Sequence, residues 1–213
     1  MDTLNTREIA APNFRDERRA RIIETAREVF YEVGYAGASM SMISSRLGGS
    51  KATLYAYFSS KEDLFAAIIR EQCEVFGGLF EAHIGTDDLR QSLTAVAHQL
   101  MSVMLSDWGS RTMQLVIEES RRNPTLSKLF SETIEQKGRA TMQLLLQTAH
   151  DRGQIAAPDV LEATVILKSL LFGDLHFKRL LNLTPPSEAH IHKHIDRAID
   201  VFMTYYGLDK AKA

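Results

Sequence analysis

Apolar residues recur at intervals of three and four along almost the whole chain, which is the spacing of amphipathic helices. In the first such segment Ile22, Ala26 and Val29 follow this spacing, and Gly34 ends it. No run of alternating apolar and polar residues is long enough to predict a strand. The sequence therefore predicts an all-α fold of about nine helices.

Two very short helices separated by glycines follow the first helix. Ser39 is a candidate N-cap for a helix over 40–47, and Ser50 is a candidate N-cap for a second helix over 51–57. Gly48 stands between them, where a left-handed residue is needed to end the first of the two. This spacing is typical of a helix-turn-helix, in which the second helix enters the major groove of DNA.

The remaining boundaries follow from capping residues, prolines and glycines. They predict helices over about 60–80, 88–106, 110–122, 124–150, 158–181 and 187–206. The pair Gly77-Gly78 is expected to fray or kink its helix, because glycine weakens helix interiors. The helix over 158–181 has little polar face, which indicates burial on all sides.

The composition excludes several classes of protein. Of 213 residues, 45% are hydrophobic and 24% are charged, and the single cysteine, Cys73, allows no disulfide within the chain. No apolar stretch suits a signal peptide or a membrane span, so we expect a cytoplasmic protein. The motifs of P-loop, dinucleotide-binding, serine-hydrolase and HExxH enzymes are absent, so neither an enzyme nor a cofactor is predicted.

The charge pattern is more informative than the total. A net charge of −2 argues against a protein that binds any polyanion. Lys51 and Lys61 each stand at the first position of a predicted helix, where a cation opposes the helix dipole. Both become favourable if a DNA phosphate docks on the free N–H groups nearby. The alternative is that both are solvated surface lysines.

Four pieces of the stretch from Phe30 through Phe65 form one recognisable pattern: Gly34-Tyr35, Ile43, the run Gly48-x-Ser50-Lys51-x-Thr53-Leu54-Tyr55-x-Tyr57-Phe58, and Ser60-Lys61-Glu62-x-Leu64-Phe65. With these pieces the stretch resembles the DNA-binding domain of the TetR family of bacterial transcriptional regulators. Gly49 departs from that family, which usually has a branched apolar residue there, so a gap costing about 1 kcal/mol is expected beneath the turn.

The resemblance implies a set of DNA contacts, and the predicted helices divide the chain into domains. Residues Lys51, Ala52 and Tyr55 are expected at base edges, and the other members of the set at phosphates. The residues expected at DNA are Ser39, Ser41, Lys51, Ala52, Thr53, Tyr55, Tyr57 and Lys61. The expected divisions are a flexible arm at 1–14, a helix-turn-helix domain at 15–60, a helical effector-binding and dimerisation domain at 61–207, and a tail at 208–213.

Polar, aromatic and methionine side chains on otherwise apolar helices are candidates for a ligand pocket in the second domain. TetR-like regulators usually respond to a small molecule, so an effector of unknown identity is expected as a partner. The alternative is that these residues are ordinary core. They are His98, Met101, Met104, Trp108, Arg111, Met113, Met142, Phe172 and His176.

The last two predicted helices are interpreted as a homodimer interface that becomes a four-helix bundle when doubled. The alternative is that both are central core of a single chain. His190 and His194 have the spacing of two zinc ligands, but no third ligand is evident, so no metal is predicted. The residues expected at the interface are Val165, Leu171, Phe172, Leu175, Ile191, Ile195, Ile199 and Phe202.

These observations predict a dimeric regulator of transcription that binds double-stranded DNA. The more specific hypothesis is a repressor that a small hydrophobic ligand releases from a near-palindromic operator. Its two heads would contact half-sites about one helical turn apart, roughly 34–36 Å. Two other hypotheses stay open: a ligand-independent DNA-binding regulator, and a small-molecule binding protein with a vestigial head.

Overall fold

The computed structural model describes the backbone of residues 14–81 and 83–208, and their side chains outside 72–81 and 134–138. Within this part of the chain the extended pairing is limited to an isolated bridge between Ile155 and Gly207, which confirms the all-α class. The helices are α1 (Phe14–Gly37), α2 (Met40–Arg46), α3 (Lys51–Tyr55), α4 (Lys61–Glu81), α5 (Leu89–Met104), α6 (Asp107–Glu119), α7 (Pro124–Phe130), a π-helical segment (Ser131–Glu135), α8 (Gln136–Asp151), α9 (Val160–Leu180) and α10 (Glu188–Tyr206).

The predicted arm at 1–14 and tail at 208–213 lie almost wholly outside the described residues. The helix α4 continues through Gly77 and Gly78 to Glu81, so the glycine pair does not end it. Among the described helices, none combines the length and the apolar character needed to span a membrane.

Short polar side chains fix where most helices begin. Each capping side chain accepts a hydrogen bond from the main-chain N–H three residues later, which satisfies a donor that the first turn leaves unpaired. Pro158 therefore precedes α9 and does not open it, because the cap is the next residue. The capping residues are Ser39, Ser50, Asp88, Ser106, Asn123, Asp159 and Ser187.

The predicted continuous helix over 124–150 is wrong in one respect. Pro124 does open α7, but the π-helical segment at 131–135 separates α7 from α8. A π-helical turn accommodates an extra residue per turn without ending the helix. The apolar spacing continues across it, so periodicity alone could not reveal it.

A second departure is a break within α9. Gly173 adopts φ 39° and ψ −141°, outside the helical region, in a segment predicted to be one straight helix. The imidazole Nε2 of His194 donates a hydrogen bond to the carbonyl of Leu171 at 2.8 Å. A Cβ at position 173 would lie 3.3 Å from Cε1 of this histidine, so glycine permits α10 to approach the break closely.

The chain divides into two compact units, one ending at Ile68 and the other beginning at Ile69. The first unit, called the head below, has an aromatic cluster at its centre. The Phe30 ring lies 5.5 Å from both the Tyr35 ring and the Phe65 ring, measured between centroids. Around this cluster Ile43 and Leu54 are almost fully buried, so the same core holds α1 to α4 together.

The second unit, called the body below, is built on α5, α8, α9 and α10. These helices pack against one another, with Met101 and Phe202 among the largest buried side chains. Met142 also lies in this core at 4% exposure. Two of the predicted pocket residues, Met101 and Met142, are therefore core residues, as the alternative interpretation expects.

Five residues predicted at the dimer interface lie inside the body core of a single chain, so that prediction needs correction. A side chain already covered by its own chain has no surface left to offer a partner. Among the remaining three, Phe172 and Ile191 are half-buried against the core and Val165 is 45% exposed. The five core residues are Leu171, Leu175, Ile195, Ile199 and Phe202, with exposures from 0% to 4%.

Candidate nucleic-acid interface

The turn between α2 and α3 has the hydrogen bonds of a Schellman motif. The Gly49 N–H donates to the Ser44 carbonyl at 3.2 Å, and the Gly48 N–H donates to the Ser45 carbonyl at 3.1 Å. Gly48 has φ +67°, which a residue with a side chain adopts only at a cost. The glycine predicted to end α2 therefore does so by its left-handed conformation.

The helix α3 has one buried and one exposed face. Leu54 and Phe58 are 1% and 3% exposed and fix the helix against the head core. Lys51, Ala52 and Tyr55 lie on the opposite side and are exposed. The three residues predicted at base edges thus share one accessible surface, called the α3 face below.

The serine hydroxyl groups that flank α2 and α3 cap these helices. Ser39 Oγ accepts a hydrogen bond from the Met42 N–H at 3.2 Å. Ser50 Oγ accepts one from the Thr53 N–H at 3.1 Å and lies 3.0 Å from the Thr53 hydroxyl oxygen. Ser41 is exposed and Tyr57 is half-buried. The caps hold α2 and α3 in place, and their hydroxyl groups keep further hydrogen-bonding capacity.

Lys61 has a partner that the sequence did not indicate. Its ammonium donates hydrogen bonds to the carbonyls of Tyr35 at 2.8 Å and Ala38 at 3.2 Å, and lies 4.3 Å from the centroid of the Tyr35 ring. These carbonyls stand at the C-terminal end of α1, where a cation is favourable. A DNA phosphate is therefore not needed to explain why a lysine stands at the first position of α4.

The neighbouring Glu62 completes the same junction. The Tyr35 hydroxyl donates to a carboxylate oxygen of Glu62 at 2.9 Å. A hydrogen bond from its own backbone N–H is the main cause that lowers the pKa of Glu62, and the Tyr35 hydroxyl adds to it against the opposing effect of burial. Lys61 and Glu62 at the start of α4 thus both contact Tyr35 near the end of α1, and these contacts join the two helices.

Several basic residues of the head are engaged with carboxylates. Arg46 lies 2.6 Å from Glu32, and this hydrogen bond is the main cause that lowers the pKa of Glu32 and raises the pKa of Arg46. Arg27 forms an ion pair with Glu24 at 2.9 Å. The cations that remain for DNA are fewer than the sequence count suggests.

Gly49 does not leave the expected gap. A Cβ at this position would lie 3.2 Å from Nη2 of Arg18, which α1 brings to the turn. The next residue, Arg19, lies over the Phe58 ring at 5.3 Å from its centroid. Sequence reasoning missed both contacts, because nothing in the spacing links α1 to this turn.

The predicted ligand residues separate into groups. Phe172 and His176 are in ring contact, with 5.2 Å between their centroids. Burial is the main cause that lowers the pKa of His176, and hydrogen bonding with the Met104 backbone partly offsets it. Trp108 and Met113 are half-buried on α6, whereas Arg111 on the same helix is exposed.

His98 lies in a different environment. Its ring is 4.4 Å from the His192 ring on α10, measured between centroids. Burial is the first cause that lowers the pKa of His98, His192 adds to it, and Asp196 opposes it. His192 Nδ1 is 2.7 Å from the Glu188 carbonyl oxygen. The structure therefore places His98 with the α10 histidine and not with Phe172 and His176.

Two sequence profiles match the chain, and together they span the head and the body. Residues 22–68 match the profile of bacterial regulatory proteins of the TetR family, and residues 91–208 match that of the C-terminal domain of AefR-like transcriptional repressors. The chain belongs to the TetR family. As a TetR-family protein with a helix-turn-helix head, it binds DNA and regulates transcription.

Relatives and solved structures agree with this assignment. FasR, a transcriptional activator from Mycolicibacterium smegmatis, is 36% identical over 105 residues, which are 49% of this chain and 47% of that protein. The flavonoid-responsive regulator FrrA is 28% identical, with a TM-score of 0.73 over 90% of this chain and 97% of that one. A TetR-family regulator from Mesorhizobium loti has the same fold at 23% identity, with a TM-score of 0.83 over 92% and 100% of the two chains.

Proposed function

We propose that this TetR-family protein is a homodimeric repressor that occupies a near-palindromic operator and leaves it when a small hydrophobic molecule binds the body. The observation that carries the DNA part is the α3 face, where Lys51, Ala52 and Tyr55 are exposed above a buried Leu54 and Phe58. The match to AefR-like repressors favours repression, although the relative FasR is an activator. Such a protein acts in the cytoplasm, where bacterial DNA is found.

On the α3 face each side chain has a distinct capacity. Lys51 can donate to guanine or to a phosphate, and Tyr55, which is 51% exposed, can donate a hydrogen bond or stack. Ala52 can contact a thymine methyl group but cannot form a hydrogen bond. Thr53 and Tyr57 flank this face and are proposed to contact phosphates, as are the main-chain N–H groups near Ser39 and Ser41.

The effector site is proposed around Met104, Phe172 and His176. Nδ1 of His176 and Oε1 of Gln99 are buried and have no hydrogen-bond partner among the described residues. These residues come from α5 and α9, which pack against each other. Buried polar atoms without partners are costly, so a ligand with an apolar body and polar groups that reach them would bind favourably.

The dimer surface is proposed on the exposed apolar side of α9 and α10. Large exposed apolar residues occur there in pairs four residues apart, at 161 and 165 near the start of α9, at 177 and 181 around its end, and at 201 and 205 on α10. Exposed apolar patches of this kind mark interfaces between chains. The residues are Leu161, Val165, Phe177, Leu181, Val201 and Tyr205, with exposures from 44% to 79%.

Sequencing the genomic DNA fragments that the purified protein retains would test this function. The proposal predicts enrichment of one near-palindromic motif, and a mobility shift on that fragment that a hydrophobic effector abolishes. Binding to all fragments alike would favour a ligand-independent DNA-organising protein. Effector binding without any retained DNA would favour a binding protein with a vestigial head.

A further inference from the structure

The head brings an arginine of α1 to the turn of the helix-turn-helix. Nη2 of Arg18 lies 3.2 Å from the position that a Cβ of Gly49 would occupy. Gly49 stands two residues before Lys51, the first residue of α3. The guanidinium therefore lies at the turn that leads into α3, although Arg18 is more than thirty residues away in the sequence.

Among the described residues, no carboxylate lies within ion-pair distance of this guanidinium. Within the described residues, ion pairs engage Arg27 and Arg46 of the head, but none engages Arg18. Lys61 is held by backbone carbonyls of α1. A half-buried guanidinium that lacks an anion has lost hydration without a replacement, so an anion brought to it would bind strongly.

We infer that Arg18 binds a DNA phosphate, and that the absence of a side chain at Gly49 is what seats its guanidinium beside α3. This rests on the DNA-binding assignment of the head. Because a Cβ at position 49 would already lie 3.2 Å from Nη2, a branched residue there would push the guanidinium away from the turn. The glycine and the arginine therefore act together, and α1 adds a phosphate contact that the helix-turn-helix motif alone does not contain.

The test is the salt dependence of affinity for random-sequence duplex DNA, measured by fluorescence anisotropy. Log affinity falls as log salt rises, and each lost phosphate contact makes this slope less steep by about 0.9. Below, a lower slope means a less steep one. Arg18→Gln keeps a polar side chain of similar reach without charge and should lower the slope by about that amount. Gly49→Val should lower it equally, and the double variant should lose no more than either single variant.

Arg90→Gln is the charge-matched control, because it removes an arginine of the body that is paired with Asp200. It should leave the slope unchanged. Thermal unfolding of each variant separates the alternative, in which Arg18 only fills space. In that case Arg18→Gln would lower the melting temperature and leave the salt slope unchanged. Adding Gly49→Val would then restore the melting temperature in the double variant. That result would overturn the inference, and a wild-type protein that binds no DNA would overturn the DNA-binding assignment as well.

Discussion

The Lys61 ammonium donates a hydrogen bond to the backbone carbonyl of Tyr35 at 2.8 Å and lies over the ring of the same residue. This contact places the cation at the C-terminal end of α1, although Lys61 itself begins α4. The dipoles of the two helices act on it in opposite directions, and the end of α1 supplies the favourable one. Lys61 opposes the dipole of its own helix, but its contact with the end of α1 is favourable and joins the two helices.

Replacing Lys61 by Met should destabilise the protein by about 1–2 kcal/mol, because methionine keeps the apolar stem but leaves two carbonyls without their charged donor. Urea unfolding measures this change. The salt slope of DNA binding should stay within a few tenths of the wild-type value. A slope reduced by about 0.9 at unchanged stability would instead place Lys61 on a phosphate.

Gly48 provides a second stability test in the head. Its φ of +67° strains any residue with a Cβ, so Gly48→Ala should cost about 1 kcal/mol. Gly48→Asn should cost less, since asparagine tolerates the left-handed region better. Thermal unfolding of the two variants checks the order. Equal stability of the alanine variant and the wild type would refute the role given to this glycine.

The corrected dimer surface predicts opposite outcomes for two charged substitutions. Val165 is an exposed apolar residue of α9, so Val165→Asp should give folded monomers. Ile199 is 0% exposed, so Ile199→Asp buries an unpaired charge and should unfold the body. Light scattering gives the mass and circular dichroism the helix content. A dimer that survives Val165→Asp together with Phe177→Asp would exclude this surface.

His176 predicts a pH dependence of stability. Burial lowers the pKa of His176 in the folded protein, so below about pH 6.5 the unfolded chain takes up a proton that the folded chain does not. The free energy of unfolding should therefore fall as pH decreases from about 6.5 towards the folded pKa. His176→Gln should weaken this fall in urea titrations.

The control for that pH dependence is His190→Gln, which removes an exposed imidazole near the start of α10. It should follow the wild-type curve. If His176→Gln and His190→Gln show the same pH dependence as the wild type, His176 does not contribute in the way proposed.

The sequence was sufficient for features that depend on near neighbours. The caps at Ser39, Ser50 and Ser187, and the left-handed Gly48, each need only residues three or four positions away. For that reason the helix-turn-helix and its boundaries were predicted almost to the residue. The resemblance of the head to the TetR family rests on the same local motifs.

Features that depend on distant contacts could not be predicted. The partners of Lys61 lie 23 and 26 residues earlier in the chain. The approach of Arg18 to Gly49 likewise crosses from one helix to another. The apolar pattern of α9 predicts burial on all sides, but in the single chain α9 buries Leu171 and Leu175 and leaves Val165 exposed. Periodicity could not distinguish residues that their own chain buries from those that it leaves exposed.

We expect the α3 face to distinguish operator DNA from other DNA. This is measured by the ratio of affinities for the enriched operator and a scrambled duplex, for the wild type and Tyr55→Ala. Leu144→Ala, which shortens a 53% exposed side chain on α8, is the matched control. Tyr55→Ala should lower the ratio about tenfold, a loss of about 1.4 kcal/mol of discrimination, while the control keeps it. If Tyr55→Ala leaves the ratio unchanged, the α3 face does not read the operator sequence.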